Sequence, residues 1–292
     1  MKILISGATG FIGRHLVSTL LERNHEIVII KHPQDASELD PRVLAYTFNP
    51  KNVEKDIEFL IDQKIDGVAH LASLFLASHK SDDIKALIDT NLFFSTYLLE
   101  CSSKANIRWF INTGTFWQNY KNSEYSPVNI YAATKQAFQS IAQFYIDTNR
   151  INFATLKLCD TYGRGDTRPK ILNLFDRISK SGESVNMSEG EQVLDISHVD
   201  DVVDAFYKLM LLMSENKIKN GSIFAVKANK RTTLKELADI FQSVTGKKLN
   251  IIWGGRPYRE REVMHPWECG VVVPGWSPKV TIQDGIKSIF KD

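Results

Sequence analysis

The sequence lacks several features that define whole classes of protein. Its 292 residues include three cysteines, Cys101, Cys159 and Cys269, which form neither a CxxC pair nor an even-numbered set. This excludes a disulfide framework and a cysteine-based zinc site, so each cysteine is expected to be a small apolar residue. No apolar run approaches the roughly 20 residues of a membrane helix, and no signal-peptide pattern opens the chain. The expected location is therefore the cytoplasm, without a membrane partner.

An excess of charge of one sign is also missing. Thirty-six Lys and Arg residues offset 34 Asp and Glu residues, which leaves a formal net charge of +2. Proteins that bind nucleic acid or membrane surfaces concentrate basic residues, so neither partner is expected. The hydrophobic fraction of 43% and the charged fraction of 24% are typical of soluble globular proteins. The chain is long enough for one large domain, or for a core domain with a smaller lobe.

Strand-like and helix-like segments alternate along the first half of the chain. Short apolar runs predict strands at residues 3–6, 26–31, 43–47, 67–71, 108–112 and 152–157. Apolar residues at helical spacing predict helices from Phe11 onwards and at residues 53–62, 84–103 and 131–148. This alternation predicts an α/β fold with a doubly wound parallel sheet of the Rossmann type.

The pattern becomes less regular beyond residue 162. A turn-rich segment at residues 163–169 is followed by shorter predicted helices at residues 170–181, 200–212 and 233–245. The chain is therefore expected to form a core domain over residues 1–162. Residues 163–292 are expected to form mainly a smaller C-terminal lobe, some segments of which return to the core.

A glycine motif, GATGFIG, lies between the first predicted strand and the first predicted helix. Glycines at this position let the backbone turn tightly and approach a pyrophosphate, whose charge the N-terminus of the helix stabilises. The motif therefore predicts a dinucleotide site, formed by Gly7, Thr9, Gly10, Phe11, Ile12 and Gly13.

The end of the second strand carries a cation. NAD-specific folds place Asp or Glu there to bind the ribose hydroxyls of the adenosine, whereas this chain has Lys31. A cation favours the 2′-phosphate of NADP(H), and Arg14 lies close enough in sequence to assist. NADP(H) is therefore expected in preference to NAD(H).

Tyr131 and Lys135 are four residues apart on a predicted helix, so both project from the same face. A lysine cation lowers the pKa of a nearby tyrosine, which suits proton transfer to a substrate oxygen. Thr113 follows the strand at residues 108–112, at the carboxyl edge of the predicted sheet. A hydroxyl there is placed to hydrogen-bond the reacting oxygen.

These motifs follow one another in the order of a known family. GATGFIG, then HLAS at residues 70–73, Asn91, Thr113 and YAATK at residues 131–135 resemble the extended short-chain dehydrogenase/reductases. This group contains the nucleotide-sugar epimerases, dehydratases and reductases. Later segments also resemble it, at residues 160–166, 190–201 and 274–279, so the likeness covers nearly the whole chain.

The resemblance implies roles for particular residues. It implies a catalytic triad of Thr113, Tyr131 and Lys135, in which Tyr131 and Lys135 also contact the cofactor. Further implied cofactor contacts are Leu71, Ala72, Ser73 and Asn91. Implied substrate contacts are Phe75, Thr115, Phe116, Lys170 and Arg259, where an arginine fork suits a diphosphate. The family also implies a homodimer that pairs the helices at residues 84–103 and 131–148 in a four-helix bundle.

The acidic residues between Asp195 and Asp201 do not predict a metal centre. Together with His198 they lack a known ligand spacing, and Asp200 or Asp201 is instead expected to cap the following helix. No metal is therefore expected.

The two residues that follow Thr113 exclude one of the reactions known in this family. Dehydratases of the family carry Asp and Glu there, but this chain has Gly114 and Thr115, so the acid and base for elimination are missing. The sequence most resembles the NADPH-dependent reductases of nucleotide-linked 4-keto-6-deoxyhexoses, such as the CDP-abequose and CDP-paratose synthases. Two alternatives stay open: a C4 epimerase of a nucleotide sugar, and a non-catalytic dinucleotide-binding sensor on the same fold.

Overall fold

The computed structural model describes residues 1–32, 35 and 37–291, and a parallel sheet forms its centre. Its first six strands are β1 (Lys2–Ser6), β2 (Glu26–Ile30), β3 (Leu44–Tyr46), β4 (Gly67–His70), β5 (Trp109–Thr115) and β6 (Asn152–Leu158). They are ordered β6-β5-β4-β1-β2-β3, and every neighbouring pair is parallel. The predicted strands and their parallel arrangement are confirmed.

Helices cover both faces of this sheet. The first half contributes α1 (Phe11–Glu22), α2 (Val53–Asp62), α3 (Asp83–Ile88), α4 (Ser95–Lys104) and α5 (Ile130–Asp147), with short 3-10 turns at Phe116–Gln118 and Tyr120–Asn122. The helix predicted at residues 84–103 is α3 and α4 joined by a π-helical turn, Asp89–Phe94. Along β1, Ile3 and Ile5 belong to one core and Leu4 to the other. The sheet is therefore doubly wound, as predicted.

The second half adds the remaining elements. Its strands are β7 (Asp160–Tyr162), β8 (Val185–Asn186), β9 (Val193–Leu194), β10 (Ile196–His198), β11 (Ser222–Ala225), β12 (Thr232–Thr233) and β13 (Ile251–Ile252). Its helices are α6 (Ile171–Ser181), α7 (Val199–Ser214), α8 (Leu234–Thr245) and α9 (Ile282–Phe290). None of the helices in the described part of the chain is long and apolar enough to span a membrane.

Two elements of the second half join the central sheet. Strand β11 pairs in parallel with β6 and forms the seventh strand, which the sequence did not predict. Side chains of α7 share a core with α1 and the sheet. A separate core lies among α6, α8 and α9. The division at residue 162 stays a prediction.

The start of α7 differs from the expectation. His198 is the N-cap, and its side chain accepts a hydrogen bond from the Asp200 backbone N–H. Asp201 instead accepts hydrogen bonds from the backbone N–H groups of Lys279 and Val280. The predicted capping role for Asp200 or Asp201 is therefore wrong, because one side chain is exposed and the other binds the C-terminal segment.

Candidate active site

The glycine loop between β1 and α1 leaves no room for larger residues. Gly7 has a φ of +73°, and a Cβ there would lie 2.5 Å from the backbone N of Ala72. A Cβ on Gly13 would lie 2.1 Å from the carbonyl O of Gly7. Helix α1 begins just after Gly10, which has no side chain with which to cap the first-turn N–H groups. These groups are therefore available to an anion such as a pyrophosphate.

A cleft along the carboxyl ends of β1, β4, β5 and β6 brings together most of the predicted residues. The predicted cofactor and catalytic residues that line this cleft are Gly7, Gly10, Phe11, Ile12, Gly13, Leu71, Ser73, Thr113, Tyr131 and Lys135. The predicted substrate residues Phe75, Thr115 and Lys170 also line it. Ala72 lies against Gly7, directly beside the cleft.

Asn91 is placed differently from the prediction. Its side chain is fully buried. The side-chain oxygen accepts from the Leu74 N–H at 2.8 Å, and its amide donates to the Leu74 carbonyl and to Thr134 Oγ1, each at 3.0 Å. Asn91 therefore holds the loop after β4 against α5. The predicted direct contact with the cofactor is corrected, because no side-chain surface is left for it.

Lys31, Thr9 and Arg14 lie outside the cleft. Thr9 and Arg14 line a second cavity, between the glycine loop and residues 37–43. The Lys31 ammonium donates to the Ser37 carbonyl at 2.8 Å. In this structure the Lys31 ammonium therefore contacts a backbone oxygen of the loop that follows β2.

Lys135 places a buried positive charge in the cleft. Its side chain is 1% exposed, and its Nζ has no hydrogen-bond acceptor among the residues that the structure describes. Burial lowers the pKa of Lys135 from its ordinary 10.5 to about 8. Because a buried ammonium requires partners, this site is incomplete until a ligand supplies acceptors.

Tyr131 lies one turn before Lys135 on α5 and lines the same cleft. Burial raises the pKa of Tyr131 to about 12, a hydrogen bond with Ser73 lowers it, and the charge of Asp160 raises it further. The expectation that Lys135 lowers this pKa is therefore not met here, since desolvation dominates. Tyr131 is protonated at neutral pH, as a proton donor must be.

His70 is a buried histidine of strand β4. Its ring is hydrogen-bonded to Ser6 Oγ at 2.6 Å and to Ser95 Oγ at 2.8 Å. Burial, with a smaller contribution from the Lys135 charge, lowers the pKa of His70 well below its usual value. The His70 carbonyl accepts a hydrogen bond from Thr113 Oγ1 at 2.7 Å, which fixes the Thr113 hydroxyl at the edge of the cleft.

Another cavity, distinct from the one beside Thr9, adjoins this cleft, and several of the side chains that line it are cationic. Lys170 and Arg259, both predicted to bind substrate, line it together with Arg256 and Arg261. The Arg261 guanidinium lies over the Tyr120 ring and donates to Ser126 Oγ. Sequence reasoning missed Arg256 and Arg261, although both belong to the same arginine-rich segment as Arg259. Such a set of cations suits a diphosphate.

The cleft and this cation-lined cavity meet at a junction. Phe75, Trp117, Asp160 and Lys170 line both cavities. Lys170 Nζ donates to Asp160 Oδ1 at 2.8 Å and lies 4.4 Å from the centre of the Phe75 ring. The Phe75 ring meets the Tyr131 ring edge-on at 5.0 Å. Asp160 was not predicted as a site residue, because its position at the junction depends on its contact with Lys170.

Phe116 was predicted to contact the substrate, but it lines neither the cleft nor the cation-lined cavity. It is buried, and its ring packs edge-on against Trp267 at 5.4 Å. The next residue, Trp117, faces the cavities instead. The correction follows from the 3-10 turn that begins at Phe116, which directs the first side chain into the core.

The acidic residues near Asp195 form a structural network. Asp195 is buried and accepts hydrogen bonds from the Ala228 N–H and from Arg231. Across residues 1–32, 35 and 37–291, no three His, Cys, Asp or Glu side chains are grouped so as to hold a metal ion.

A nicotinamide dinucleotide fits the residues of the cleft. The glycine cradle accepts a backbone-close pyrophosphate, and the unpartnered Lys135 ammonium requires acceptors such as ribose hydroxyls. Tyr131 and Thr113 stand beside Lys135 on the cleft wall, where a nicotinamide ring would meet a substrate oxygen.

Comparison with known proteins gives a consistent result. The model of the NAD dependent epimerase/dehydratase family matches residues 3–225. CDP-abequose synthase of Salmonella typhimurium is 28% identical over 297 residues, which cover 99% of this chain and 97% of that protein. UDP-glucose 4-epimerase of Lactobacillus helveticus is 22% identical over 321 residues, which cover 100% and 96%.

Solved structures share the fold. UDP-glucuronic acid 4-epimerase from Bacillus cereus, in complex with UDP-glucuronic acid and NAD, superposes with a TM-score of 0.85 at 20% identity, covering 99% of this chain and 98% of that chain. UDP-glucose 4-epimerase from Thermotoga maritima, with UDP-glucose, gives a TM-score of 0.83 at 23% identity, covering 98% and 96%. The Rossmann-type architecture is confirmed.

Proposed function

Because the chain belongs to the NAD dependent epimerase/dehydratase family, we propose that it is a reductase of a nucleotide-linked 4-keto-6-deoxyhexose. The CDP-abequose synthases, similar along 99% of this chain, support a nucleotide-sugar substrate. The observation that carries the proposal is the cleft at the carboxyl ends of the strands. It offers the protonated Tyr131 and Thr113 to a keto oxygen, while Gly114 and Thr115 provide no acid or base for elimination.

Tyr131 is the proton donor in this mechanism. When bound, a reduced nicotinamide dinucleotide supplies the hydride that C4 of the sugar accepts. The Tyr131 hydroxyl gives its proton to the C4 oxygen as negative charge develops there. The Thr113 hydroxyl, which donates to the His70 carbonyl in the free protein, donates instead to the C4 oxygen of the sugar. Lys135 holds the ribose hydroxyls with its buried ammonium.

The cations of the adjoining cavity bind the diphosphate of the substrate. Arg256 and Arg259 are exposed at its wall, so their guanidinium groups can each take two phosphate oxygens. Lys170 stays with Asp160, which keeps the junction close to neutral and presents carboxylate oxygens to sugar hydroxyls. The cofactor itself differs between NAD(H) and NADP(H) only on the adenosine ribose, away from these groups.

A C4 epimerase is the second candidate. UDP-glucose 4-epimerases among the relatives favour it, since they share the length of this chain. An epimerase removes and later returns a proton at the same sugar oxygen, so Tyr131 suits either reaction and the fate of the cofactor separates them. A tightly retained dinucleotide and no net consumption of cofactor would place the epimerase first.

The reductase is tested by following reduced nicotinamide absorbance with CDP-, dTDP-, GDP- and UDP-linked 4-keto-6-deoxyhexoses. We expect stoichiometric loss with one nucleotide class. Tyr131→Phe should reduce kcat at least about 100-fold, because the proton donor is gone, and leave dinucleotide affinity unchanged. Tyr125→Phe is the matched control, since Tyr125 is 57% exposed. Full activity of Tyr131→Phe would instead support the non-catalytic sensor.

We also propose a homodimer formed through the helices at residues 83–104 and 130–147. Both helices expose apolar side chains, among them Ile88, Phe93 and Phe144. Exposed aromatic and aliphatic groups of this size are typical of protein interfaces. Light scattering should give the mass of two chains, and Phe93→Glu should reduce it to one.

A further inference from the structure

Lys157 is a second buried lysine, and the proposed mechanism does not use it. It lies on β6 with 3% of its surface exposed, and it lines neither the cleft nor the cation-lined cavity. Burial lowers the pKa of Lys157 from its ordinary 10.5 to about 8. Its ammonium donates to Asn119 Oδ1 at 2.6 Å and lies 4.9 Å from the centre of the Trp267 ring. Because burying a charge is unfavourable, a role for this lysine must come from the groups that it contacts.

Asn119 connects Lys157 to the loop at residues 119–126. Its side-chain amide donates to two carbonyl groups of this loop, at 3.0 and 2.8 Å. Within the loop, Lys121 and Asn122 have φ values of +54° and +60°, which are uncommon for residues other than glycine. Such a backbone persists only where its surroundings hold it, and the contact between Lys157 and Asn119 holds it from the core.

The segment at residues 256–268, which we call the arginine segment, packs on this loop. Its Arg261 guanidinium lies 4.3 Å from the centre of the Tyr120 ring and donates to a serine hydroxyl of the loop at 2.7 Å. The Glu268 N–H donates to Asn122 Oδ1 at 2.7 Å. The arginine segment is therefore joined to the loop at two points along its length.

The position of the arginine segment depends on contacts of this kind. Each of its residues is described, and none belongs to a helix or a strand, so no regular backbone hydrogen bonding fixes it. On its other side, the Val193 N–H donates to the Met264 carbonyl at 2.9 Å, so the segment lies between the loop and β9. Arg256 and Arg259, which line the cation-lined cavity, belong to this segment. A shift of the loop would therefore move their guanidinium groups relative to a bound diphosphate.

We propose that Lys157 is a positioning residue for the diphosphate of the substrate. It acts through Asn119, which holds the loop beside the arginine segment, and through Trp267, which belongs to the segment itself. This inference rests on the nucleotide-sugar substrate of the proposed function and extends it to a residue that lines neither cavity. Removal of the ammonium weakens diphosphate binding and leaves dinucleotide binding in the cleft unchanged.

The test measures binding of CDP, dTDP, GDP and UDP by calorimetry, with NAD⁺ and NADP⁺ in parallel. Lys157→Met retains the stem of the side chain, which packs beside Gly114, and removes the ammonium. We expect it to weaken the nucleoside diphosphate that wild type binds by about tenfold or more, the range of a hydrogen bond to a charged group, and to change dinucleotide affinity by less than about twofold. Lys248→Met is the matched control, because Lys248 is exposed and should affect neither affinity.

Asn122→Gly tests the same set of contacts without a change in the core. Asn122 is exposed, and glycine readily adopts its φ of +60°. The variant removes the acceptor of the Glu268 N–H, so it should weaken diphosphate binding about threefold or more.

Equal losses of diphosphate and dinucleotide affinity in Lys157→Met would show a general structural role and overturn the proposal. Unchanged diphosphate affinity in Lys157→Met, or in Asn122→Gly if the first variant fails to fold, would overturn it as well. Binding of none of the four diphosphates by wild type would overturn this inference together with the nucleotide-sugar function. Diphosphate binding without reduction of any keto sugar would affect the proposed reaction alone.

Discussion

Lys135 lowers the stability of the ligand-free protein, although its charge suits a role in the candidate active site. A charge that is 1% exposed and has no acceptor in the described part of the chain is unfavourable in the ligand-free protein. The same charge is what the ribose hydroxyls of a bound dinucleotide would contact. Functional sites commonly carry such a local cost.

Replacing this lysine by an apolar residue of similar length should therefore stabilise the protein. We expect Lys135→Met to raise the free energy of unfolding at pH 7 by up to roughly 3 kcal/mol, from the fall in pKa from 10.5 to about 8. Dinucleotide binding should be lost in the same variant. Urea unfolding and calorimetry measure the two effects.

The pH dependence has a defined sign. The folded pKa of Lys135 is depressed, so between about 8 and 10.5 the unfolded chain binds more protons than the folded one. The cost of the charge is therefore complete below pH 8 and declines as pH rises towards 10.5. The stability gain of Lys135→Met should shrink between pH 7 and pH 9.5. An equal gain in the exposed control Lys248→Met would contradict this account.

At the residue scale, sequence reasoning identified Thr113, Tyr131 and Lys135, and the structure places all three on one cleft. Spacing along α5 was sufficient for two of them. It was not sufficient for Asp160, whose position at the junction depends on its contact with Lys170. No local pattern records such contacts.

Among the elements, the helical span at residues 83–104 has a role beyond packing. Its π-helical turn contains Asn91, whose amide is hydrogen-bonded to Leu74 and Thr134. This joins three elements: the loop after β4, the π turn and α5. Turns of this kind are frequently found at functional sites.

We expect Asn91→Ala to reduce the free energy of unfolding by about 1–3 kcal/mol, because the part-buried N–H and carbonyl of Leu74 lose their side-chain partner. The loop that carries Ser73 should also loosen, so dinucleotide affinity should fall. Asn229→Ala is the control, since Asn229 is exposed and makes one long hydrogen bond of 3.4 Å. Equal losses in the two variants, measured by urea unfolding, would exclude this role.

The helix at residues 84–103 was predicted as one piece, and its bounds were close to those observed. The π turn within it was not predicted, because one extra residue in a helical turn leaves the apolar periodicity nearly unchanged. The 3-10 turn at Phe116 was missed for a related reason, since three residues are too few to show a period.

Across the whole molecule, α7 links the sheet to the C-terminal segment. Asp201 accepts from the backbone N–H groups of Lys279 and Val280 at 2.9 and 3.0 Å, and the Trp276 indole donates to the Asp201 carbonyl at 3.2 Å. The helix itself is packed on the core of the sheet. Asp201 therefore holds residues 276–280 against the core that α7 shares with α1 and the sheet.

Asp201→Ala should lower the free energy of unfolding by about 2–3 kcal/mol, because the backbone N–H groups of Lys279 and Val280 both lose a charged acceptor. Asp200→Ala should change it by less than about 0.5 kcal/mol, as expected for an exposed neighbour. Urea unfolding of both variants makes the comparison. A larger effect at Asp200 would favour the capping role that the sequence suggested.

The sequence by itself determined the alternation of strands and helices, the glycine loop, and the spacing of Tyr131 and Lys135. These features are local, because burial and backbone geometry impose a period or a residue type on neighbouring positions. Only the tertiary structure decided which groups meet: Asp35 with Thr9, Lys31 with the Ser37 carbonyl, and Asp160 with Lys170. Each of these pairs depends on how loops pack between elements, and loop packing leaves no period in the chain.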